Sequence, residues 1–428
     1  MSRLVDRPIN VVVCLTAALV VPGGVAWWAM ASAKAPAKTE LVAEGHKLFV
    51  HEWTEADPLS GGGDGLGPML NANSCVACHL QGGVGGAGPR RHNVTVFEVL
   101  PNRRDESLSG GVVHAFATDP RLQQSNEQIK RLNPVIPDST RVVGGCTIRI
   151  QDFDPVVFAD INTPALFGVG LIDDLPASRI KWKRRMRMLN KMRHEFALDF
   201  NTPGVGRPRT LPDGSLGKFG WKGQFATLED FVATACAVEL GLTNPLRSQD
   251  AADSYAPDND AKADMTRRQL DSLIEFCRAL PRPEQVLPDD PAECECVVRG
   301  EKLFTEIGCA ECHTPSLYGI HRIYSDFLLH SIEHPDNAGY REEIEVPLPD
   351  DHPRLNEWQT PPLWGVADSA PYFHDGGSAT LQDAILRHAG SAAGVTKRYD
   401  ELREPDRDAL LQFLGTLRAP QKFVSTLF

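Results

Sequence analysis

Two pentapeptides carry the clearest chemistry in the chain: Cys75-Val76-Ala77-Cys78-His79 and Cys309-Ala310-Glu311-Cys312-His313. Two thiols one helical turn apart can each add to a vinyl group of one porphyrin, and the imidazole of the next residue then reaches the iron. A lone match is also readable as a zinc half-site, and a plain Cys-x-x-Cys redox pair leaves the histidine without a task. Two complete copies in one chain predict two covalently bound c-type haems, with His79 and His313 as iron ligands.

Such sites need helices on both sides of them, and the surroundings repeat accordingly. Gly45-His46-Lys47-Leu48-Phe49 precedes the first pentapeptide and Gly300-Glu301-Lys302-Leu303-Phe304 the second. Downstream, Leu270, Leu273, Ile274, Cys277 and Leu280 recur at helical spacing up to Pro281, and Leu410, Phe413, Leu414 and Leu417 do so up to Pro420. The expected fold is mainly α, two cytochrome c-like domains in tandem at 39–290 and 291–428, joined through the Pro- and Asp-rich stretch 281–291. The first is enlarged by long insertions between His79 and Leu270, where strand signals are few.

With 428 residues, 42% hydrophobic and 23% charged, the composition is that of a soluble globular protein and excludes both a polytopic membrane protein and a wholly disordered chain. Lys and Arg number 44 against 56 Asp and Glu, a net charge of −12 that argues against wrapping nucleic acid. Arg3 and Arg7, an apolar run from Ile9 to Val21 and the small residues Ala31-Ser32-Ala33 read as a signal peptide over 1–33. The expectation is therefore a periplasmic or otherwise exported protein with no stable membrane span after cleavage. Glycines 61–67 and 82–88 read as loops, since neither run opens a helix after a strand as a phosphate loop does.

Further segments carry a specific resemblance. GDGLGPMLNANSCVACH (63–79), TPALFGVGLID (163–173), KFGWKGQFATLEDF (218–231), YSDFLLH (324–330), EWQTPPLWGV (357–366), PYFHDGG (371–377) and AILRHAG (384–390) follow one another as in the di-haem oxidoreductase family. That family, whose members include thiol oxidoreductases, is related to bacterial di-haem cytochrome c peroxidases and MauG-type enzymes. The resemblance implies a reactive haem on His79 and an electron-transfer haem on His313, a small redox protein as partner, and a small oxidant such as hydrogen peroxide.

The same resemblance assigns individual residues. Trp221 falls where relatives place a tryptophan relay between the haems; its ordinary reading is a core indole. Glu239 matches a distal glutamate that moves a proton during O–O cleavage. Phe231 stands where relatives carry glutamine, and as an apolar neighbour it is expected to desolvate that acid. His388 occupies the place of the second haem's sixth ligand, Met in the peroxidases and Tyr in MauG-type enzymes, with His374, His330 and His321 as competitors. Bis-histidine ligation lowers the potential relative to His/Met. An inter-haem calcium ion is implied at Asn162, with carbonyls of the Ser369-Ala370-Pro371 stretch.

Two readings compete with a peroxidase. A pure electron carrier needs a distal ligand on the first haem, for which His92 and His114 are the candidates; a MauG-type or oxygenase enzyme shares the architecture and differs in substrate. Outside the pentapeptides and the signal segment lie Cys146, Cys236, Cys277, Cys294 and Cys296, an odd set in which Cys277 is expected to bridge to Cys294 or Cys296. A basic run, Lys181, Lys183, Arg184, Arg185, Arg187, Lys191 and Arg193, reads first as a solvated helix face and second as a dock for an acidic donor.

Overall fold

The computed structural model describes residues 38–99, 109–131, 139–143, 145–150, 156–194, 205–249, 263–332, 351–354 and 356–420. The expected signal segment lies outside them. Helices that frame the sites are α1 (Lys38–Val50), α2 (Ala177–His194), α3 (Leu228–Glu239), α4 (Arg267–Ala279), α5 (Pro291–Glu306), α6 (Leu381–Arg387) and α7 (Glu404–Gly415). Their starts are written in the sequence. Thr266 and Gln269 close a capping box on α4, Thr380 and Asp383 do so on α6, and Asp290 caps α5 with Pro291 in its first turn.

The repeated motif builds the same joint twice. α1 crosses α4 at Gly45, where a side chain would stand 2.7 Å from the Phe276 Cβ; α5 crosses α7 at Gly300, where it would stand 2.8 Å from the Phe413 Cβ. Only glycine allows either approach. The phenylalanine four residues on, Phe49 or Phe304, then turns onto the pentapeptide histidine, with ring centroids 6.2 Å from His79 and 6.3 Å from His313. The expected periodic positions are buried: Leu270, Leu273, Ile274 and Cys277 on α4, Leu410, Phe413 and Leu414 on α7, with Phe276 buried beside them.

The division at 290/291 is not a division of the core. The described residues form one compact unit, and Leu317, Ile323, Phe327, Leu328 and Trp364 pack into the core built on α1 and α4. A second, smaller core gathers Val297, Phe304, Tyr324, Tyr399 and Phe413. The 281–291 stretch is strapped to the end of α7, with Val286 N–H donating to the Thr416 carbonyl and the Gln285 amide to the Thr416 hydroxyl.

The long insertion is richer in strands than its sequence suggested. An antiparallel sheet places Val94–Val99 between Ser109–Val113 and Val156–Ile161, and several two-stranded ribbons accompany it. The Cys277 bridge is not formed: Cys277 is a buried free thiol in the first core, while Cys294 is free and donates to the Pro288 carbonyl. No helix among the described residues is long and apolar enough to cross a membrane.

Candidate di-haem site

The Cys75–Cys78 turn sits at the end of the loop after α1, and its histidine is prepared as a ligand. His79 Nδ1 donates to the Gly86 carbonyl at 3.2 Å, a contact made by the glycine loop that follows. The bond fixes the tautomer, so the Nε2 lone pair is the one left for a metal. Burial pushes the imidazole down to about 4, which keeps it neutral and able to ligate. The second site repeats each step: His313 Nδ1 donates to the Tyr324 carbonyl at 3.0 Å, and burial, aided by His388, lowers it to about 4.

What faces each histidine differs. His388 follows the last turn of α6, donates Nδ1 to the Ala384 carbonyl at 2.7 Å, and sets its ring 6.4 Å from that of His313. Two imidazoles facing one another across a single metal at the usual ~2.0–2.1 Å have centroids about 6.3 Å apart. The spacing therefore fits an iron between them. Phe304 and His388 are the rings that touch His313 among the described residues. The other candidates are engaged elsewhere. His330 Nε2 lies 3.1 Å from Asp326 Oδ2 and its Nδ1 3.7 Å from Cys312 Sγ, so both ring nitrogens are engaged. His374 stacks on Trp358 at 3.4 Å, and His321 is exposed beside Ser316.

At His79 the ring in contact is Phe49 alone among the described residues. His114, buried, donates Nε2 to the Val238 carbonyl, and His92 is half-buried near Asn93. Glu239 ends α3 beside the first cysteine pair: burial and then the Glu239 charge push the Cys78 thiol up to about 11. Asn71 fixes this carboxylate, with Nδ2 donating to Glu239 Oε2 at 2.6 Å while its own Oδ1 accepts from Ala115 N–H at 2.8 Å. Asn71 escaped the sequence reading; its one local signal was its place four residues before Cys75. Phe231 does not neighbour Glu239. Eight residues of α3, roughly 12 Å of rise, separate them, and Phe231 stacks with Phe219 and meets Phe225 instead.

An apolar cavity of about 310 Å³ opens at the second site, bordered by Cys309, Cys312, His313 and His388 and reaching a far wall of Thr163, Pro164 and Trp221. The Pro164 backbone also bonds His79, so this wall belongs to both sites. Paired thiols and a tautomer-fixed imidazole suit a haem at each pentapeptide, and the second has an apolar cavity beside it. Trp221 donates Nε1–H to the Asn162 carbonyl at 2.8 Å and meets the His374 ring edge-on at 6.4 Å. From there Phe373 leads on to His388, with centroids 6.0 and 5.1 Å apart in turn. The loop of His374 is held by Asn162 N–H donating to its carbonyl at 2.6 Å and by the Trp358 stack.

The implied calcium ligands are partly together. Asn162 and Pro371 both stand against Gly376, whereas the Ser369 hydroxyl turns to the Gly365 carbonyl. Asn162 Nδ2 donates to Gly88 O and Asn93 Oδ1, which leaves Oδ1 as the side-chain oxygen it offers a cation.

Residues 143–417 match the family described as "Di-haem oxidoreductase, putative peroxidase". The chain is 27% identical over 173 residues to hydrazine synthase subunit gamma of Kuenenia stuttgartiensis (35% of this chain, 49% of that protein). It is 27% identical over 124 residues to cytochrome c551 peroxidase of Nitrosomonas europaea (29% and 34%). The chain thus spans half or less of the length of these curated relatives. Among solved structures, a xenon-pressurised hydrazine synthase of Kuenenia stuttgartiensis aligns with a TM-score of 0.36 at 19% identity, over 60% of this chain and 73% of that one. A MauG-like protein associated with microbial copper homeostasis aligns with a TM-score of 0.29 at 18% identity, over 49% and 72%. With the family match extending over well more than half of its length, the chain belongs to the di-haem oxidoreductase family.

Proposed function

We propose that the protein is an exported, periplasmic di-haem enzyme that reduces hydrogen peroxide at its first pentapeptide site, with electrons delivered by a small redox protein at the second. The observation that carries this reading is an asymmetry between two otherwise repeated sites. His313 faces a second imidazole, His388, whereas beside the Cys75–Cys78 pair stands a carboxylate held by Asn71.

A c-type haem at each pentapeptide supplies the electron-transfer and peroxide-binding chemistry when bound. His79 and His313 would hold the two irons on one side, and His388 would close the second on the other. That closure reserves the second site for electron transfer and leaves the first accessible to a small oxidant. The overall reaction joins hydrogen peroxide, two electrons and two protons to give two waters. Glu239 takes the proton of one peroxide oxygen and returns it to the other as the O–O bond breaks, with Asn71 orienting the carboxylate. Trp221, hydrogen-bonded to the Asn162 carbonyl in the shared wall, relays electrons between the sites. A calcium ion held by Asn162 Oδ1 and by carbonyls around Ser369 and Pro371 would stiffen that wall.

The test is peroxide turnover by the holo-protein with Glu239→Gln beside it. General acid–base catalysis is worth ~10²–10⁴-fold, so the variant is expected to lose about that much at unchanged haem content. Cyanide or carbon monoxide should bind at the first site. Two low-spin signals, inert to peroxide and to both ligands, would instead establish a carrier.

A further inference from the structure

We propose that the outward face of α2 is a docking surface for an acidic electron-transfer protein, placed against the second pentapeptide. The inference deepens the functional reading above and rests on its assignment of electron entry to that site.

The helix is unlike the rest of the molecule. Between Ala177 and His194 the sequence holds eight Lys and Arg and no carboxylate, in a chain of net charge −12. Its inner side is fastened to the second site at two points. Arg187 pairs with Asp326 at 2.9 Å and donates to the Thr314 hydroxyl at 2.6 Å, one residue past His313. Arg179 lies 4.4 Å from the centre of the Tyr318 ring, in the hairpin that follows. Ile180 is buried, and Arg184 donates to the Gly206 carbonyl. These contacts exclude the simple solvated helix that the basic run first suggested.

The outer side carries the wrong residues for water. Trp182 (57% exposed), Met186 (39%), Leu189 (43%) and Met192 (58%) follow one another at i, i+4, i+7 and i+10, a single apolar stripe. Lys181 and Arg185 are exposed alongside it. Tryptophan, methionine and arginine are the residue types enriched at protein interfaces, and methionine adapts to varied partners. The stripe is about 15 Å long, which suits the small, transient interfaces of redox encounters. Its basic flank would steer a partner of negative charge, such as an acidic cupredoxin or an acidic cytochrome. The ties of the helix to Thr314 and Tyr318 give a protein donor the advantage over a lipid surface, because a partner seated there stands next to the site that it reduces.

The probe is an acidic plastocyanin, pre-reduced, mixed with oxidised holo-protein by stopped flow; a basic cytochrome c serves as control. The acidic donor should be the faster of the two, with a rate that falls as salt rises. Lys181→Glu/Arg185→Glu should slow it about tenfold or more at low salt, and Trp182→Ser/Met186→Ser should slow it at all salt concentrations. Both variants should keep the wild-type haem content and its reduction by dithionite. Equal rates in wild type and variants, or faster reduction by the basic donor, would overturn the proposal. So would Trp182-dependent binding to phosphatidylglycerol vesicles in a protein whose reduction by plastocyanin ignores Trp182. A wild type without dithionite-reducible haem would fail earlier, at the di-haem reading itself.

Discussion

Gly300 offers the sharpest test of how the fold holds the site. A methyl group built there would stand 2.6 Å from the Ala409 carbonyl carbon and 2.8 Å from the Phe413 Cβ. Carbon atoms settle at about 3.5–4.0 Å, so α5 and α7 would have to part by roughly 1 Å. Neither obstacle can rotate away, since one is backbone and the other a Cβ. Overpacking of this kind costs about 1–3 kcal/mol, and the rigid obstacle puts Gly300→Ala near the upper end. At about 2.1 cal/mol/K per residue, a body of this size shifts its Tm by ~1 °C per kcal/mol, so a drop of about 3 °C is expected. Gly415, at the end of α7, is the internal control. Nothing lies within 4 Å of its added methyl, and alanine there gains up to ~1 kcal/mol of helix propensity.

The chemistry should follow the packing. Phe413 meets Phe304 at 5.5 Å, and Phe304 in turn meets His313. Gly300→Ala should therefore disturb the spectrum of the second haem and spare the first, and Gly45→Ala, against Phe276, should do the reverse. Differential scanning calorimetry with Soret and near-infrared spectra reads both effects. A Gly300→Ala protein that melts with wild type, or as high as Gly415→Ala, would refute the claim that this crossing has no room for a methyl group.

His388→Ala should convert the second haem from low to high spin, and added imidazole should restore the low-spin spectrum; an unchanged spectrum would show that another group faces His313. Asn71→Leu removes a hydrogen bond to a charged group, worth about 1.5–3 kcal/mol, and orphans the Ala115 N–H, so peroxide turnover should fall about tenfold or more with the second haem unaffected. Burial, with Asp64 adding, raises Asp264 to about 6. Because this folded pKa lies above its unfolded value, the protein binds more protons than the unfolded chain between about pH 4 and 6, and stability falls as pH rises through that window. Asp64→Asn removes the like charge and should raise the Tm by a degree or two at pH 8 but not at pH 4, as measured by melts across the range.

The parts that were legible share one property: the residues that act together are neighbours in sequence. The pentapeptides stand out because each sets two thiols a turn apart and an imidazole next to them. α4 and α7 are visible because burial of one face stamps a 3.6-residue period on Leu270 to Cys277 and on Leu410 to Leu414. The sheet was within reach, since Val94-Thr95-Val96-Phe97 is β-branched and aromatic, but its partners lie some 15 and 60 residues away. Other features have no local trace. Asn71 meets Glu239 across 168 positions, and a general pattern for such a pair does not exist. Phe231 was misplaced beside Glu239 because eight residues along a chain look close, although α3 holds them at its opposite ends.

The duplication explains why the molecule has two sites and not why they differ. Glycine, phenylalanine and the tautomer-fixing carbonyl recur at both pentapeptides, so the two pentapeptide histidines are prepared alike. The difference enters through segments that come from elsewhere in the chain: α6 brings His388 to one, and α3 brings Glu239 to the other. If the shared joints set stability and the foreign segments set reactivity, as we propose, exchanging the facing groups should change the chemistry of a site without dismantling it. A Glu239→His protein that folds, keeps both haems and turns low-spin at its first site would show that this asymmetry is carried by the visiting helices, not by the repeated frame.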